Sequence, residues 1–271
     1  MCYSRNASIE IENAGKMQNR SADPKDQGVY TFSPCQACSV RELSVCNALD
    51  NKELASLDKI VSRTQMAPKQ MISYQGDPSD YLFNVTEGAV KVYKLLADGR
   101  RQITGFLFRG DFLGLAVGEQ YTYSAEAITN VSLCRFPRRK LEALIRQYPK
   151  LERRLLQTAS NELAAAQDQM LLLGRKTAEE RMATFILNLS DRAIRRGGGS
   201  GDVVALPMPR NDIGDYLGLT IETVSRSITK LRKLGAISLE SSRAVSIVDR
   251  DRLLELAGLA LEDRPAVAAS L

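Results

Sequence analysis

Residues 209–235 read PRNDIGDYLGLTIETVSRSITKLRKLG, and this stretch decides the fold of the C-terminal third of the chain. Its apolar spacing predicts a short first helix that turns Ile213 and Leu217 inward, and Gly218 then permits a tight turn. A second helix is predicted to begin at Thr220 and to direct three apolar side chains into the same core, namely Val224, Ile228 and Leu231. Two helices joined by a short glycine turn are the helix-turn-helix pattern, a common DNA-binding unit.

The outward face of the second helix carries side chains that can read DNA. An arginine can bind guanine with two hydrogen bonds, a glutamate can accept from cytosine N4, and hydroxyl groups can serve bases or phosphates. The predicted DNA-contacting residues are Thr220, Glu222, Thr223, Ser225 and Arg226. Two β-rich segments flank residues 241–243 and predict a hairpin wing. A purely structural helix pair is the alternative, and the wing together with the base-reading residues favours DNA binding.

Helical periodicity also governs the preceding segment. Residues 137–148 predict one short helix, and Pro149 can open the next. Six residues of that next helix recur in steps of three and four and form an a/d seam: Leu156, Ala159, Leu163, Ala166, Met170 and Leu173. The seam is narrow and its flanks are polar, which favours a homodimer helix over a helix packed on its own domain. Gly174 interrupts the pattern, and Thr177 opens a further helix with capping-box spacing.

The middle of the chain, from about Glu53 to Phe136, has a different periodicity. It contains short alternating or β-rich stretches at residues 71–74, 81–85, 89–93, 102–106 and 131–136. The Asp98-Gly99 pair between two of them is a strong hairpin signal. Strands this short and evenly spaced predict an antiparallel barrel or roll.

The composition of the 271 residues excludes several classes of protein. The chain has no histidine, which excludes histidine-dependent catalytic triads, histidine-bound zinc hydrolases and histidine-ligated haem. No phosphate-binding glycine loop or catalytic constellation is present, so we do not expect an enzyme. No run approaches the ~18 apolar residues of a membrane span, and the N-terminus lacks the apolar core of a secretory signal. We therefore expect a cytoplasmic protein without a membrane partner. The first 31 residues are polar with little to bury, and we expect them to form a flexible tail.

Four of the five cysteines are placed like ligands, namely Cys35, Cys38, Cys46 and Cys134. Cys2 reads as an idle thiol in the tail. Because histidine is absent, a soft metal centre here must be held by thiolates, which points to an iron–sulfur cluster or structural zinc. Zinc usually takes two close cysteine pairs, and a single cysteine in a strand is often a core thiol. The residues alone therefore leave a cluster, zinc, and unliganded or disulfide-forming cysteines open.

The stretch from Ile213 to Arg226 closely resembles the recognition region of the FNR branch of the CRP/FNR transcription regulators. Leu171-Leu-Leu, Thr177-Ala-Glu-Glu-Arg, Gln102-Ile-Thr-Gly-Phe and the cysteine set resemble the same branch, in the same order. The resemblance implies an α+β fold with an N-terminal antiparallel β-roll (a jelly roll of the cyclic-nucleotide-binding type), a long dimerisation helix and a C-terminal winged helix-turn-helix. The predicted β-roll spans residues 32–149, the dimerisation helix spans 150–176 and the winged helix-turn-helix spans 177–258. Residues 1–31 and 259–271 are predicted to form two tails.

The same resemblance implies a function in gene regulation. It implies one oxygen-labile [4Fe–4S] cluster per protomer, which favours the dimer and is bound by Cys35, Cys38, Cys46 and Cys134. It further implies an oxygen-responsive regulator, mainly an activator, of anaerobic or microaerobic genes, with RNA polymerase as a partner. Its double-stranded DNA site would resemble the palindrome TTGAT-N4-ATCAA and be read by Glu222, Ser225 and Arg226. The alternative is a regulator of the same family whose cysteines bind zinc or act as a thiol redox switch.

A cyclic nucleotide is not expected as a ligand of the roll. A cyclic phosphate buried in such a pocket needs an arginine, which the CRP relatives place just before the segment equivalent to Ser124-Ala125. Tyr123 stands at that position, and no arginine or lysine occurs between Gly110 and Cys134.

Overall fold

The structure is a computed structural model that describes residues 34–115, 118–197 and 199–259. The predicted tails therefore lie outside the described residues, apart from the single residue Leu259. No helix in the described ranges combines the length and the apolar character that crossing a lipid bilayer requires.

The first half of the described chain is an antiparallel β-roll, as the sequence predicts. Its strands are β1 (Ser62–Met66), β2 (Met71–Ser73), β3 (Tyr81–Glu87), β4 (Val90–Leu95), β5 (Arg101–Leu107), β6 (Phe112–Leu113), β7 (Ser124–Ala127) and β8 (Val131–Pro137). They form two four-stranded sheets, in the orders β1-β8-β3-β6 and β2-β7-β4-β5. The Asp98-Gly99 pair closes the β4–β5 hairpin, where Leu96 N donates to Arg100 O at 2.8 Å. Strands β1, β6 and β7 lie outside the predicted stretches.

Strand β4 packs against other parts of the chain on both of its faces. Val90 and Val92 point into the roll and pack with residues of the opposite sheet, among them Val85 and Leu133. Lys91 and Tyr93 alternate with them, yet both are also buried, because their face is covered by the C-terminal domain. The strand is thus buried on both faces.

Helix α1 (Asn51–Asp58) precedes the roll. Helices α2 (Arg138–Gln147) and α3 (Pro149–Arg175) connect the roll to the C-terminal domain, and α4 (Ala178–Arg195) begins that domain. Pro149 occupies the first turn of α3, where its missing N–H costs no hydrogen bond. At the start of α4, Glu180 N donates to Thr177 Oγ1 at 3.4 Å and Thr177 N donates to Glu180 Oε2 at 2.7 Å. This reciprocal pair confirms the predicted capping box.

The C-terminal domain is the predicted winged helix-turn-helix. It contains β9 (Val203–Ala205), α5 (Arg210–Leu217), α6 (Ile221–Lys233), β10 (Ile237–Ser241), β11 (Ala244–Ile247) and α7 (Arg250–Leu256). Gly218 ends α5 with a φ of +65°, a left-handed conformation that glycine adopts without strain. The β10–β11 hairpin is the predicted wing, and β9, which the sequence did not indicate, adds a third strand to it. Ile213, Leu217, Val224, Ile228 and Leu231 are all buried in one core.

Candidate nucleic-acid interface and cysteine site

Helix α6 presents the predicted DNA-contacting residues on its free side. Thr220 caps the helix, because its Oγ1 accepts a hydrogen bond from Thr223 N at 3.2 Å. Thr220, Glu222, Ser225 and Arg226 are exposed and Thr223 is half-buried, while the opposite side of the helix lies in the core. The helix is therefore anchored by its apolar side and leaves its polar side open to a ligand.

An open groove runs along the outer face of α6, lined by Ser225, Arg226, Thr229, Lys230 and Lys233. The Arg226 Nε donates weakly to Glu222 O at 3.5 Å, and its two terminal nitrogens have no partner among the described residues. An arginine in this state can bind two acceptors of one base. The Lys230 Nζ lies 3.0 Å from Glu179 Oε1 of α4. A phosphate that binds Lys230 would therefore compete with this ion pair.

Arg210, which the sequence did not single out, lies in the same helix-turn-helix. It is the first residue of α5, where the helix dipole disfavours a cation. Its Nη1 is buried and has no partner among the described residues, and this burial lowers the pKa of the guanidinium. A cation with these properties is stabilised by an incoming anion. In the sequence, Arg210 is recognisable only as a basic residue at the start of a predicted helix. That signal does not distinguish an anion-binding residue from an ordinary surface arginine.

Helix α3 exposes most of the predicted dimer seam. Leu156, Leu163 and Met170 have 67%, 62% and 66% of their surface exposed, and Ala159 and Ala166 between them are also exposed. Leu173 differs, because it is half-buried against the core of the C-terminal domain. Five of the six seam residues thus form an exposed apolar stripe in the single chain. Leu173 instead packs partly against the core of its own protomer.

The four candidate ligand cysteines are brought together from separate parts of the chain. Cys35, Cys38 and Cys46 lie in a loop of residues 34–49, here called the cysteine loop, and Cys134 lies in the middle of β8. Cys35 and Cys134 are buried in one apolar cluster, and Cys46 packs against it. All four are free thiols, close enough for each to affect the ionisation of another.

Burial raises the pKa values of three of the four thiols. Burial, reinforced by the carboxylate of Asp58, holds the pKa of Cys35 well above its usual range. Burial also raises the pKa of Cys46, and it raises the pKa of Cys134 to about 11. These three side chains are therefore not preformed thiolates, and a bound positive centre would favour their deprotonation.

Arginine side chains hold the cysteine loop against the roll. Arg63 of β1, the register partner of Cys134, donates from Nη2 to Pro34 O at 3.1 Å. Within the loop, Arg41 donates to Leu49 O at 2.8 Å. Such bonds order the loop while leaving the sulfur atoms free. Across the described ranges, however, no three cysteine or acidic side chains are gathered as closely as one metal ion requires.

Two tyrosine side chains pack in the core of the roll. Tyr121 is buried and donates its hydroxyl to Tyr81 O at 2.7 Å, and the Tyr123 hydroxyl accepts from Gly114 N at 3.1 Å. Tyr123 thus occupies, with a satisfied neutral group, the position at which the cyclic-nucleotide relatives are expected to carry their phosphate-binding arginine. Burial raises its pKa to about 12, so it stays neutral.

Buried charges join the roll to the first helix of the helix-turn-helix. Asp212 of α5 receives Lys91 of β4 at 3.1 Å and Arg101 of β5 at 2.7 Å. Lys91 also lies 3.0 Å from Glu126, and Arg101 reaches Asp215 at 2.5 Å. This cluster fixes α5 on the roll, and with it the orientation of α6.

The C-terminal carbonyl groups of α5 are also bound by other parts of the protomer. The Gln102 side chain of β5 donates to Asp215 O at 2.7 Å, and the Gln169 side chain of α3 donates to Tyr216 O at 2.8 Å. Arg181 of α4 donates to Leu217 O at 2.9 Å and to two carbonyl groups at the end of α3. The roll, α3 and α4 therefore all position the helix-turn-helix.

Two family models match the chain, one described as a cyclic nucleotide-binding domain over residues 63–148 and one as a Crp-like helix-turn-helix domain over residues 180–256. The nitrogen fixation regulation protein FixK of Bradyrhizobium diazoefficiens is 42% identical over 82% of this chain and 93% of its own length. The transcriptional activator protein Anr of Pseudomonas aeruginosa is 41% identical over 84% of this chain and 94% of its own. The solved structure of FixK2 from Bradyrhizobium japonicum matches with a TM-score of 0.69 and 40% identity, covering 74% of this chain and 99% of that one.

Proposed function

Because this chain belongs to the CRP/FNR family of transcription regulators, in its FNR-like branch, we propose that it is an oxygen-responsive activator of genes used at low oxygen. Members of this family bind DNA and act as dimers, and they are not enzymes. What is proposed for this chain is the signal that it senses, the cofactor that receives the signal and the DNA site that it reads.

The observation that carries the proposal is the convergence of four thiols at one edge of the roll. Three come from the cysteine loop, and the fourth, Cys134, comes from a central strand. Asp58 is the acidic side chain that faces Cys35, and no histidine exists in the chain to complete another kind of centre. A set of soft sulfur donors suits an iron–sulfur cluster, which is bound by four cysteine thiolates. When bound, such a cluster supplies a centre that oxygen can dismantle.

The arrangement favours a cluster over zinc. Structural zinc usually takes two close pairs of cysteines. Here three of the proposed ligands lie in one loop and the fourth, Cys134, is remote in the sequence.

The arrangement also disfavours a simple thiol switch. Redox-sensing cysteines are accessible and ionise readily. Cys35 and Cys134 are instead 9% and 7% exposed among apolar side chains.

The residues of the chain then connect this site to DNA. Ligation of the cysteine loop and Cys134 by one group would tie the loop to β8. The loop packs against the N-terminal end of α3, where Leu151 and Leu155 share the apolar cluster of Cys35. A fixed loop therefore supports the helix whose seam pairs in the dimer, and pairing sets two α6 helices about 34 Å apart, one turn of DNA.

At the DNA, the polar face of α6 is proposed to read the half-site of a palindrome resembling TTGAT-N4-ATCAA. Arg226, Glu222 and Ser225 are proposed to contact bases, and the support is that all three are exposed on α6. Arg210 is proposed as a phosphate contact, because its unpaired guanidinium lies at the N-terminus of α5. RNA polymerase is the proposed partner at activated promoters.

Purification without oxygen tests the cofactor directly. We expect a coloured protein with acid-labile sulfide, whose binding to the palindrome exceeds its binding to a scrambled duplex. A colourless protein that holds one zinc ion per protomer would contradict the proposal.

A further inference from the structure

The β5–β6 turn, residues 108–111, lies directly beneath the cysteine loop. Gly110 has a φ of +94°, and a Cβ added to it would come within 2.7 Å of the Leu43 Cβ in that loop. Beside it, the Arg109 Nη2 donates to Ser39 O of the same loop. The loop therefore contacts this turn through Leu43 and the Ser39 carbonyl. Only glycine at position 110 lets the backbone of the turn come this close to Leu43.

The strand that pairs with the Cys134 strand also contacts this turn. Asn84 of β3 is the register partner of Cys134 and is fully buried. In the orientation that satisfies its hydrogen bonds, its side-chain nitrogen lies 3.2 Å from the carbonyl oxygens of Gly110 and Asp111. The cysteine loop thus contacts the turn directly, and Cys134 is one paired residue away from it.

The far side of the turn is held by α4 of the DNA-binding domain. Asp111 receives the Arg192 Nη2 on Oδ2 and the Arg196 Nη2 on Oδ1, both at 2.5 Å. Arg192 also donates from Nη1 to Phe106 O at 3.0 Å, and both guanidinium groups lie over the Phe108 ring, 5.1 and 5.5 Å from its centroid. Two charge-assisted hydrogen bonds on one carboxylate give this contact a defined geometry.

Helix α4 is the element on which the recognition helix is built. Its apolar side, including Met182, Phe185 and Ile186, shares a core with Val224 and Ile228 of α6. A shift of α4 relative to the roll therefore moves the DNA-reading surface of the same protomer.

We propose that residues 108–111 are an intraprotomer relay that couples the position of the cysteine loop to the DNA-binding domain through Asp111, Arg192 and Arg196. The inference rests on the proposed function for the nature of its input. It adds a route that does not pass through the dimer seam, so the cysteine site acts on the orientation of α6 as well as on pairing.

Hydrogen exchange of the full-length protein, read on the amide groups of α4, tests the relay. Gly110→Ala forces a methyl group against Leu43, whereas Gly76→Ala, at a φ of +91° with nothing within 4 Å, carries the same backbone strain without the clash. We expect Gly110→Ala to speed exchange in α4 about fivefold more than Gly76→Ala, because it weakens a charged hydrogen-bonded contact that holds the helix. The excess is expected to vanish when both variants carry Arg192→Gln and Arg196→Gln.

Two results would overturn the relay. One is a Gly110→Ala effect confined to the loop and the turn, with α4 unchanged relative to Gly76→Ala. The other is an excess in α4 that persists without the two arginines. Should Gly110→Ala not fold, Arg109→Gln removes the bond to Ser39 and is compared with the exposed Arg139→Gln. Iron and sulfide are measured on the same wild-type sample, and their absence would overturn the cluster while the glycine comparison still decides the relay.

Discussion

The recognition helix and the cysteine site are built in opposite ways. Helix α6 is one continuous segment whose functional side chains are exposed and polar, and it meets its ligand directly. The cysteine site is assembled from a loop and a distant strand, and two of its four sulfurs are buried. A surface of the first kind determines which ligand is bound. A site of the second kind can act only through the elements that it contacts, and we propose that these are α3 and the turn at residues 108–111.

The largest expected effect is a substitution that disrupts the cysteine site and leaves the recognition helix intact. Cys134→Ser removes the one ligand that lies on the roll, so we expect the site to lose its iron and sulfide while the helix-turn-helix stays folded. Cys2→Ser is the control, because this cysteine is not among the proposed ligands. Iron and acid-labile sulfide are measured on anaerobic protein, together with circular dichroism. Full retention of iron by the Cys134 variant would exclude this residue as a ligand.

The dimer seam gives the next largest effect. Leu163→Glu replaces an exposed seam residue, and we expect dimer dissociation to increase about a thousandfold, since one leucine burial is lost from each protomer. Leu171→Glu is the matched control, because Leu171 is equally exposed (63% against 62%) but lies off the a/d seam. Sedimentation of both variants over a concentration series measures the constants. Equal weakening by the two would show that α3 does not pair through this seam.

The buried charges between the roll and α5 test whether the reading surface is held by the roll. Asp212→Ala leaves Arg101 with Asp215 and Lys91 with Glu126, yet removes the acid that both cations share. We expect the free energy of unfolding to fall by about 3 kcal/mol, because two charge-assisted hydrogen bonds to the buried Asp212 carboxylate are lost.

Glu255→Ala breaks an exposed pair with Arg252 and serves as the control, with little measurable change expected. Denaturant unfolding of both proteins makes the comparison. A loss that is the same for the two would mean that the α5 contact is not a buried anchor.

Within the recognition surface, base and phosphate contacts are expected to differ. Arg226→Ala should weaken binding to the palindrome about thirtyfold and leave non-specific binding nearly unchanged, since a bidentate base contact is lost. Lys230→Ala should weaken all duplexes alike and by less, because Lys230 is already paired with Glu179. Competition assays with point-mutated sites distinguish the two. Identical behaviour of both variants would remove Arg226 from the base-reading set.

The smallest effect concerns the dimer when the cysteine site is disrupted. Residues 164–166 are three alanines, so this part of the exposed seam carries no acidic residue to repel its partner. We expect Cys38→Ser to remain largely dimeric at micromolar concentration. A clean monomer in sedimentation at that concentration would show that the seam depends on the cysteine loop.

The same contrast explains what the sequence could and could not predict. The helix-turn-helix follows from local signals, namely the cap at Thr220, the glycine at 218 and the apolar spacing, and each holds in the structure. The α4 capping box is equally local. Strand β9 is too short to carry a pattern of its own, and its three residues become a strand only because β11 lies beside them.

Long-range contacts account for what the sequence missed. Nothing near Asp111 indicates that Arg192 and Arg196 will bind it, because the pairing depends on how α4 docks on the roll. Leu173 fits the a/d seam by spacing, yet its half-buried state depends on the neighbouring domain. Arg210 likewise becomes notable only when its burial without a partner is seen.

The most direct test of the central claim follows one sample from anaerobic conditions into air. Iron, acid-labile sulfide and affinity for the TTGAT-N4-ATCAA duplex are measured before and after exposure. We expect about four iron atoms and four sulfides per protomer at first, as a cube-type cluster contains, and a parallel loss of iron, sulfide and DNA affinity in air. Protein that contains no iron, or whose affinity stays the same while its iron is lost, would contradict it.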